Sequence, residues 1–344
     1  MQLDIEVVRF LARQFAEKSE VALAAPLQEE RGISRQAAAA MLGRLVKNGF
    51  LDPGAGLKPK TYVLHGLEHV DETFDLAGLE EHVVWVEHLK LRLAGYLTPE
   101  ALNIWEYGVT EMINNAIDHS QGMTLRVQLF VNAAYTSCYV ADDGEGIFKR
   151  IKRLCNLPDE RQAILELAKG KLTTDPSRHS GEGIFFSSRA FDNFRILSSG
   201  LTFDHVHDQP DLLLEHGLED AKGTTVFMRH GNACPRVLRE VFDQFAEPDE
   251  YTFSKTIVPV RLAKMGAETL VSRSQAQRLL ARVDRFKTVI LDFEGVETIG
   301  QAFADEIFRV YRNDHPEVEL RHRKTNEQIL GMIRRAQAHD TPAR

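Results

Sequence analysis

The chain has 344 residues, 43% of them hydrophobic and 27% charged, with a formal net charge of -8. That length exceeds one ordinary core and implies two or three domains of roughly 100–200 residues each. The acidic balance argues against a coat protein for nucleic acid. No apolar run reaches the roughly 18 residues of a membrane helix, and the start MQLDIEVVRF has acids where a secretory leader is basic, so a cytoplasmic protein without membrane contact is expected.

The three cysteines, Cys138, Cys155 and Cys234, form no CxxC pair and cannot all close into bridges within the chain, which fits reduced, mostly buried thiols. Charge is uneven: residues 1–64 hold nine Lys/Arg against seven Asp/Glu, the remainder 33 against 43.

The first 64 residues read as helices and a hairpin. LDIEVVRFLARQFAEK spaces Val7, Val8, Leu11 and Phe15 at helical intervals. A second helix follows, with a turn at Gly32, an N-cap at Ser34 and a third helix running to Asn48–Gly49. Ile33, Ala37, Met41, Leu45 and Phe50 are expected on its inner face. FLDPGAGLKPKTYVL supplies two strands around a Pro/Gly turn. This order resembles a winged helix-turn-helix, a DNA-reading module. The resemblance places Arg35 and Gln36 where base edges are met, and Arg44, Lys47, Lys58 and Lys60 where phosphates are met. The run Ala37–Ala40 leaves few side chains long enough to read bases, so a docking or dimerisation role is the alternative.

Residues 65–96 are expected to be helical, and from Thr98 a long helix runs to Ser120. Its segment EMINNAIDHS puts Glu111, Asn114, Asn115, Asp118 and His119 within an arc of about 140°. Trp105, Val109, Met112, Ile113, Ala116 and Ile117 lie opposite, towards the core. A solvated face normally mixes Glu with Lys, whereas acid, amide and imidazole alone suit a metal ion and a water molecule. Strands TLRVQLFV and SCYVADD follow, then ADDGEGI, a helical stretch, HSGEGIFFSSRAFD opening another helix, and strands around FRILSSG and TTVFMRH. Glycines before a helix let backbone N–H groups approach phosphates.

The order of an Asn helix, Asp-x-Gly-x-Gly, Gly-x-Gly at a helix start and Gly-Thr resembles the GHKL ATPase superfamily. Closest in pattern are the anti-sigma-type kinase domains; the phosphoacceptor motif of histidine kinases is absent, His82 and His88 having the wrong neighbours. The resemblance implies a Bergerat fold, an α/β sandwich with a mixed sheet. It also implies ATP and Mg²⁺ as cofactors. Asn115 would hold the metal, and Glu111 would be the base that activates water. Asp142 would accept the adenine amine, with Gly144, Gly146 and Ile147 passing the base. Gly181, Gly183 and Ile184 would lie along the phosphates, and Thr224 or Thr225 would close the adenine pocket. Asn114 and Asp118 suit supporting positions, His119 an orienting or packing one. Residues 148–180 resemble the family's ATP lid, whose Lys169, Lys171 and Arg178 would reach phosphate.

From Pro248 a third segment begins with a helical SQAQRLLARVDRF, then strand TVILDF, helix FADEIFRVYRND, strand VELRH and a last helix. KTVILDFEGVETIGQAFADEIFRVY resembles STAS-like domains, in which a phosphorylatable serine begins the helix. Here Gly300, Gln301 and Ala302 stand at those positions, which favours a fixed docking or sensing surface for a protein partner.

The expected architecture is a multidomain α/β protein: a winged helix-turn-helix (1–64), a GHKL ATP-binding domain (65–240) and a STAS-like domain (250–344). The expected function is a weakly hydrolysing ATP-responsive regulator, homo-oligomeric, binding double-stranded DNA and controlling transcription. The alternatives are a serine/threonine kinase acting on a partner, and a scaffold in which ATP is structural.

Overall fold

Asp4 accepts hydrogen bonds from the backbone N–H groups of Glu6 (2.9 Å) and Val7 (3.3 Å), and this cap starts helix Ile5–Gln14. The computed structural model describes residues 3–172, 181–217, 222–247, 252–264 and 268–338. Helix Ala24–Arg31 ends at Gly32, whose φ of 61° gives the left-handed C-cap. Ser34 then caps helix Arg35–Lys47 by accepting from Ala37 N–H at 3.2 Å. Strands β1 (Glu20–Val21), β2 (Leu51–Leu57) and β3 (Lys60–Leu64) form an antiparallel sheet in the order β1-β3-β2. Phe10, Leu11, Leu23, Leu27, Leu42 and Leu51 fill the core between these helices and strands.

The inner face of helix Arg35–Lys47 differs from the expected one. Ala38, Leu42 and Leu45 are buried, whereas Ala37 is exposed and Ile33 and Met41 are half-buried. Repeated steps of four advance about 40° each and walk off a face, whereas the 4,3 spacing of 38-42-45 stays on one stripe.

Strand β4 (Gly66–Asp75) is a correction to the helical expectation for 65–96; only the stretch from Glu81 to Leu93 is helical, with a π-helical middle, Val84–Lys90. Its acids disguise it, since Asp and Glu are depleted in strands. It pairs antiparallel with β5 (Thr124–Asn132), where Arg126 makes a bidentate pair with Asp71 at 2.8 and 2.7 Å. Strand β6 (Tyr135–Asp142) continues the sheet.

By internal contacts the chain divides into two units: residues 1–143, 190–194 and 225–238 in the first, and 144–189, 195–224 and 239–344 in the second. The second unit takes most of β7 (Asn193–Ser198) together with the antiparallel pair β8 (Leu201–Val206) and β9 (Leu212–Glu215). The first unit closes with β10 (Thr225–Gly231), antiparallel to β6 over seven residue pairs. Helix Pro99–His119, capped by Thr98 Oγ1, packs across β6 and β10. Gly108 on that helix allows the approach of Phe191, whose ring would lie 2.2 Å from an added Cβ.

The rest of the second unit holds helices Ile147–Cys155, Arg161–Lys169 and Gly183–Ala190, then a parallel sheet, β11 (Lys255–Pro259), β12 (Thr288–Asp292) and β13 (Glu319–Arg323), in that order. Helices Arg273–Leu280, Gln301–Asp305 with its π-helical extension Glu306–Tyr311, and Glu327–Ala338 accompany it. Phe185, Phe186, Phe242, Phe245 and Phe253 pack ring to ring, and Phe286 joins them through Phe253. The chain is thus a mixed α/β protein with antiparallel sheets and a parallel C-terminal one.

Candidate functional site

The predicted residues fall in both units and are taken unit by unit. In the first, Glu111, Asn114, Asn115 and His119 are half-buried on helix Pro99–His119 and Asp118 is exposed, while Trp105, Val109, Met112, Ile113 and Ala116 are buried behind them. Only four residues, Ser120 to Met123, separate that helix from the start of β5, where Leu125 stands opposite Asp142. Ala141, the next residue of β6, stands opposite Thr225. The topology therefore brings the C-terminal end of the helix, Asp142 and Thr225 to one end of the sheet. Asp143 is committed to holding that end together: it accepts from Met123 N–H (2.7 Å), Thr124 N–H (3.0 Å) and Thr124 Oγ1 (2.9 Å). The backbone bonds from Thr124 and Met123 keep its carboxyl below the usual range. Among the described residues the amide nitrogen of Asn115 is buried and has no hydrogen-bond partner. Such a group normally has a partner, so this amide is a candidate for contact with a ligand or its water.

In the second unit, Gly144, Gly146, Ile147 and Thr224 come together. Gly223 N–H donates to Gly144 O at 2.9 Å, Ile147 N–H donates to Thr224 Oγ1 at 2.9 Å, and Ser198 Oγ donates to Gly223 O at 2.9 Å. Gly146 has φ 88° and ψ 132°, and a Cβ there would lie 2.6 Å from Ser198 Oγ. The position accepts glycine alone, for backbone conformation and for space. Gly181, with φ 70°, precedes Gly183, the first residue of helix Gly183–Ala190, and Ile184 follows in its first turn. All three are half-buried. Glu182 O accepts from Phe186 N–H at 2.9 Å, closing the first helical turn.

The lid expectation needs correction at one residue and at a second is left with little reach. Lys169 is buried: its Nζ donates to Glu166 Oε1 (2.8 Å), Ala281 O (2.8 Å) and Arg278 O (3.2 Å). Burial pushes its pKa down, against the pull of Glu166. An ammonium held by three oxygens in the interior cannot extend to phosphate. Lys171 donates to Arg285 O at 3.1 Å and stands over the Phe286 ring at 4.9 Å, so it too is engaged. Arg178 lies outside the described residues.

On helix Arg35–Lys47, Arg35, Gln36, Arg44 and Lys47 are exposed, as are Lys58 and Lys60 at the β2–β3 hairpin. Among the described residues Arg35, Arg44 and Lys47 form no ion pair, so their charge is presented to solvent.

In the C-terminal part, Asp292 ends β12 and its Oδ2 is held by Arg323 Nε (2.8 Å) and Nη2 (2.6 Å). Gly300 caps helix Gln301–Asp305, and a Cβ on it would lie 2.8 Å from Val271 Cα, so even a serine would not fit there. A parallel three-stranded sheet with a helix opening after this turn is the arrangement on which the comparison with known families bears. Residues 275–330 match a STAS-like domain of unknown function (DUF4325). No curated protein matches the chain. The STAS-like segment therefore lies within the expected 250–344, and its helix begins without a hydroxyl at 300, 301 or 302. No helix among the described residues is long and apolar enough to cross a membrane.

One constellation was not anticipated. Asp192, His230 and Cys234, separated in sequence, place their potential ligand atoms within 4.8 Å of one another in the first unit. Sequence spacing carries no signal for Asp192, which is 38 positions before His230, although the i,i+4 pair His230 and Cys234 is visible.

Proposed function

We propose that this chain is an ATP-binding, slowly ATP-hydrolysing regulator of the GHKL type, divided as 1–64, 65–240 and 250–344. The reading gives it a winged helix-turn-helix that contacts double-stranded DNA, a Bergerat-fold ATP domain and a STAS-like surface for a protein partner. The observation that carries it is the buried amide nitrogen of Asn115, a donor without a partner among the described residues, near the end of a helix that runs to the same sheet end as Asp142 and Thr225. The glycine-rich loop that follows Asp142, tied to Thr224, supports it independently.

In this reading Asn115 would hold Mg²⁺, whose chemistry is to neutralise charge on phosphate oxygens. Glu111, one helical turn earlier, takes a proton from the attacking water. Asp142 accepts from the exocyclic amine of adenine, and this contact selects ATP over guanine nucleotides. Gly144, Gly146 and Ile147 shape the loop beside the base, and Gly181, Gly183 and Ile184 offer backbone N–H groups to the phosphates. Thr224 and Thr225 complete the adenine side. The order of three helices and β1-β3-β2 supports the winged helix-turn-helix, with Arg35 and Gln36 towards base edges and Arg44 and Lys47 towards phosphates. ATP can act on DNA affinity only through a difference in its affinity for two arrangements of the chain.

The test is Glu111→Ala. ATP binding is retained and turnover is abolished; surviving turnover removes Glu111 as the base. Stable label from ATP on a partner protein would instead move the output to a kinase. For the DNA reading, Arg44→Ala and Lys47→Ala each lower the slope of log affinity against log salt by about 0.9. A promoter fragment that never binds, with or without Mg-ATP, contradicts it.

A further inference from the structure

The Asp192, His230 and Cys234 group is built by a tight turn. Cys234 N–H donates to Gly231 O at 3.1 Å, which returns the thiol to the side of His230 at the end of β10. The turn is fixed from several directions. Asn232 N–H donates to Ala134 O (2.9 Å), its side chain joins Thr136 Oγ1 (2.8 Å) and Asn132 O (2.7 Å), and Arg9 Nε donates to Ala233 O (3.0 Å). His230 is fully buried and its Nδ1 lies 3.4 Å from Asp192 Oδ2, which also accepts from Gly231 N–H at 2.7 Å. The other ring nitrogen, Nε2, is buried and has no hydrogen-bond partner among the described residues.

Two chemistries are open to a Cys, His and Asp group: a metal ion and a reactive thiolate. Arg236 decides between them. Its Nη1 lies 2.9 Å from Asp192 Oδ1 and 3.5 Å from His230 Nδ1. A fixed guanidinium inside the group repels a dication and stabilises an anion. Burial alone would raise the Cys234 thiol, but the neighbouring imidazole of His230 outweighs it and holds the thiol below its ordinary value. Burial alone would lower His230, but the Asp192 carboxylate and the neighbouring Cys234 sulfur outweigh it and raise the imidazole. The other two cysteines differ: burial pushes Cys138 up to about 12, and burial also raises Cys155.

We propose that Cys234 is a peroxide-reactive thiolate, a modification site assembled by His230, Asp192 and Arg236. The Cys234 sulfur attacks one peroxide oxygen; the S–O bond forms and the O–O bond breaks. Sulfur loses two electrons and the peroxide gains them. The imidazolium of His230 gives its proton to the departing hydroxide, so the products are a sulfenic acid, water and neutral His230. Asp192 is a positioning residue that holds the imidazole, and the half-buried state of Cys234 leaves a small oxidant a way in.

The test uses the reduced full-length chain, hydrogen peroxide and a sulfenic-acid-trapping dione at pH 6.5, read by peptide mass mapping. The trap labels Cys234 and leaves Cys138 and Cys155 unmodified. Iodoacetamide alkylation of Cys234, followed from pH 5 to 10, has a midpoint below the ordinary thiol value of about 8.5. His230→Gln slows alkylation at pH 6.5 by about tenfold or more; Asp192→Asn slows it in the same direction if the first variant does not fold. Equal labelling of Cys155 and Cys234, or an alkylation midpoint at the ordinary value, overturns the proposal. So does a stoichiometric zinc ion that must be removed before Cys234 reacts.

Discussion

Replacing Gly146 by alanine tests the loop that links the glycine motif to Thr224. Two costs add at this position. With φ 88° and ψ 132° the backbone is in a region that only glycine occupies freely, and strain of that kind costs about 1–3 kcal/mol. The new Cβ would also lie 2.6 Å from Ser198 Oγ and 3.3 Å from Gly223 O. Ser198 is buried and donates to Gly223 O, so it cannot turn away without losing that bond; overpacking of this type costs about 1–3 kcal/mol. Together Gly146→Ala should destabilise by about 2–6 kcal/mol. Gly43 is the control: it lies in helix Arg35–Lys47, is exposed, and has no heavy atom within 4 Å of an added Cβ. Gly43→Ala should stabilise by about 0.5–1 kcal/mol from helix propensity alone. Urea unfolding of both variants beside wild type is the assay. The same substitution with opposite signs at the two sites supports the loop geometry; a Gly146→Ala change within about 0.5 kcal/mol of wild type refutes it.

Other consequences are as direct. Lys169→Met leaves Glu166 buried with Arg282 at 3.3 Å as its one remaining cationic partner among the described residues; it should cost about 3 kcal/mol, and a cycle with Glu166→Gln should show at least about 1 kcal/mol of coupling. No coupling would mean that the pair is not formed in solution. The pH dependence of stability follows from His230 and Cys234. The raised imidazole contributes stability fully present below its unfolded value of about 6.5 and lost as pH rises through its folded value. The depressed thiol contributes stability present above about 8.5 and lost as pH falls through its folded value, so the two slopes oppose each other in wild type. In Cys234→Ser the thiol slope is gone while Asp192 still raises the imidazole, so melting temperatures should fall as pH climbs from 6.5 to 8.5; a rising profile would contradict the pairing.

Much of the fold was legible where local chemistry is strong. The Ser34 cap, the Gly32 turn, the long helix with its buried Trp105 face, and the alternation in β5 and β6 all follow from side-chain type and period. Strand β4 was hidden because its acids are poor strand formers, and they are accommodated by residues of other elements: Asp71 by Arg126, Glu72 by His88 and Glu68 by Arg92. Lys169 reads as an exposed cation among Lys and Gly; its burial depends on carbonyls of Arg278 and Ala281, more than a hundred residues away. Cys234 reads as a bland thiol for the same reason, since Asp192 is brought beside it only by the fold. The motif residues Gly144, Gly146, Ile147 and Thr224 were legible as a set because backbone requirements leave a mark on sequence.

The most direct measurement is calorimetric titration of the wild-type chain and Asp142→Asn with ATP and with GTP, both with Mg²⁺. Wild type should bind ATP well ahead of GTP, and Asp142→Asn should weaken ATP by about 10–150-fold, the worth of one hydrogen bond to a charged group. Failure of wild type to bind ATP, or equal affinity for both nucleotides unaffected by Asp142→Asn, contradicts the ATP-binding reading.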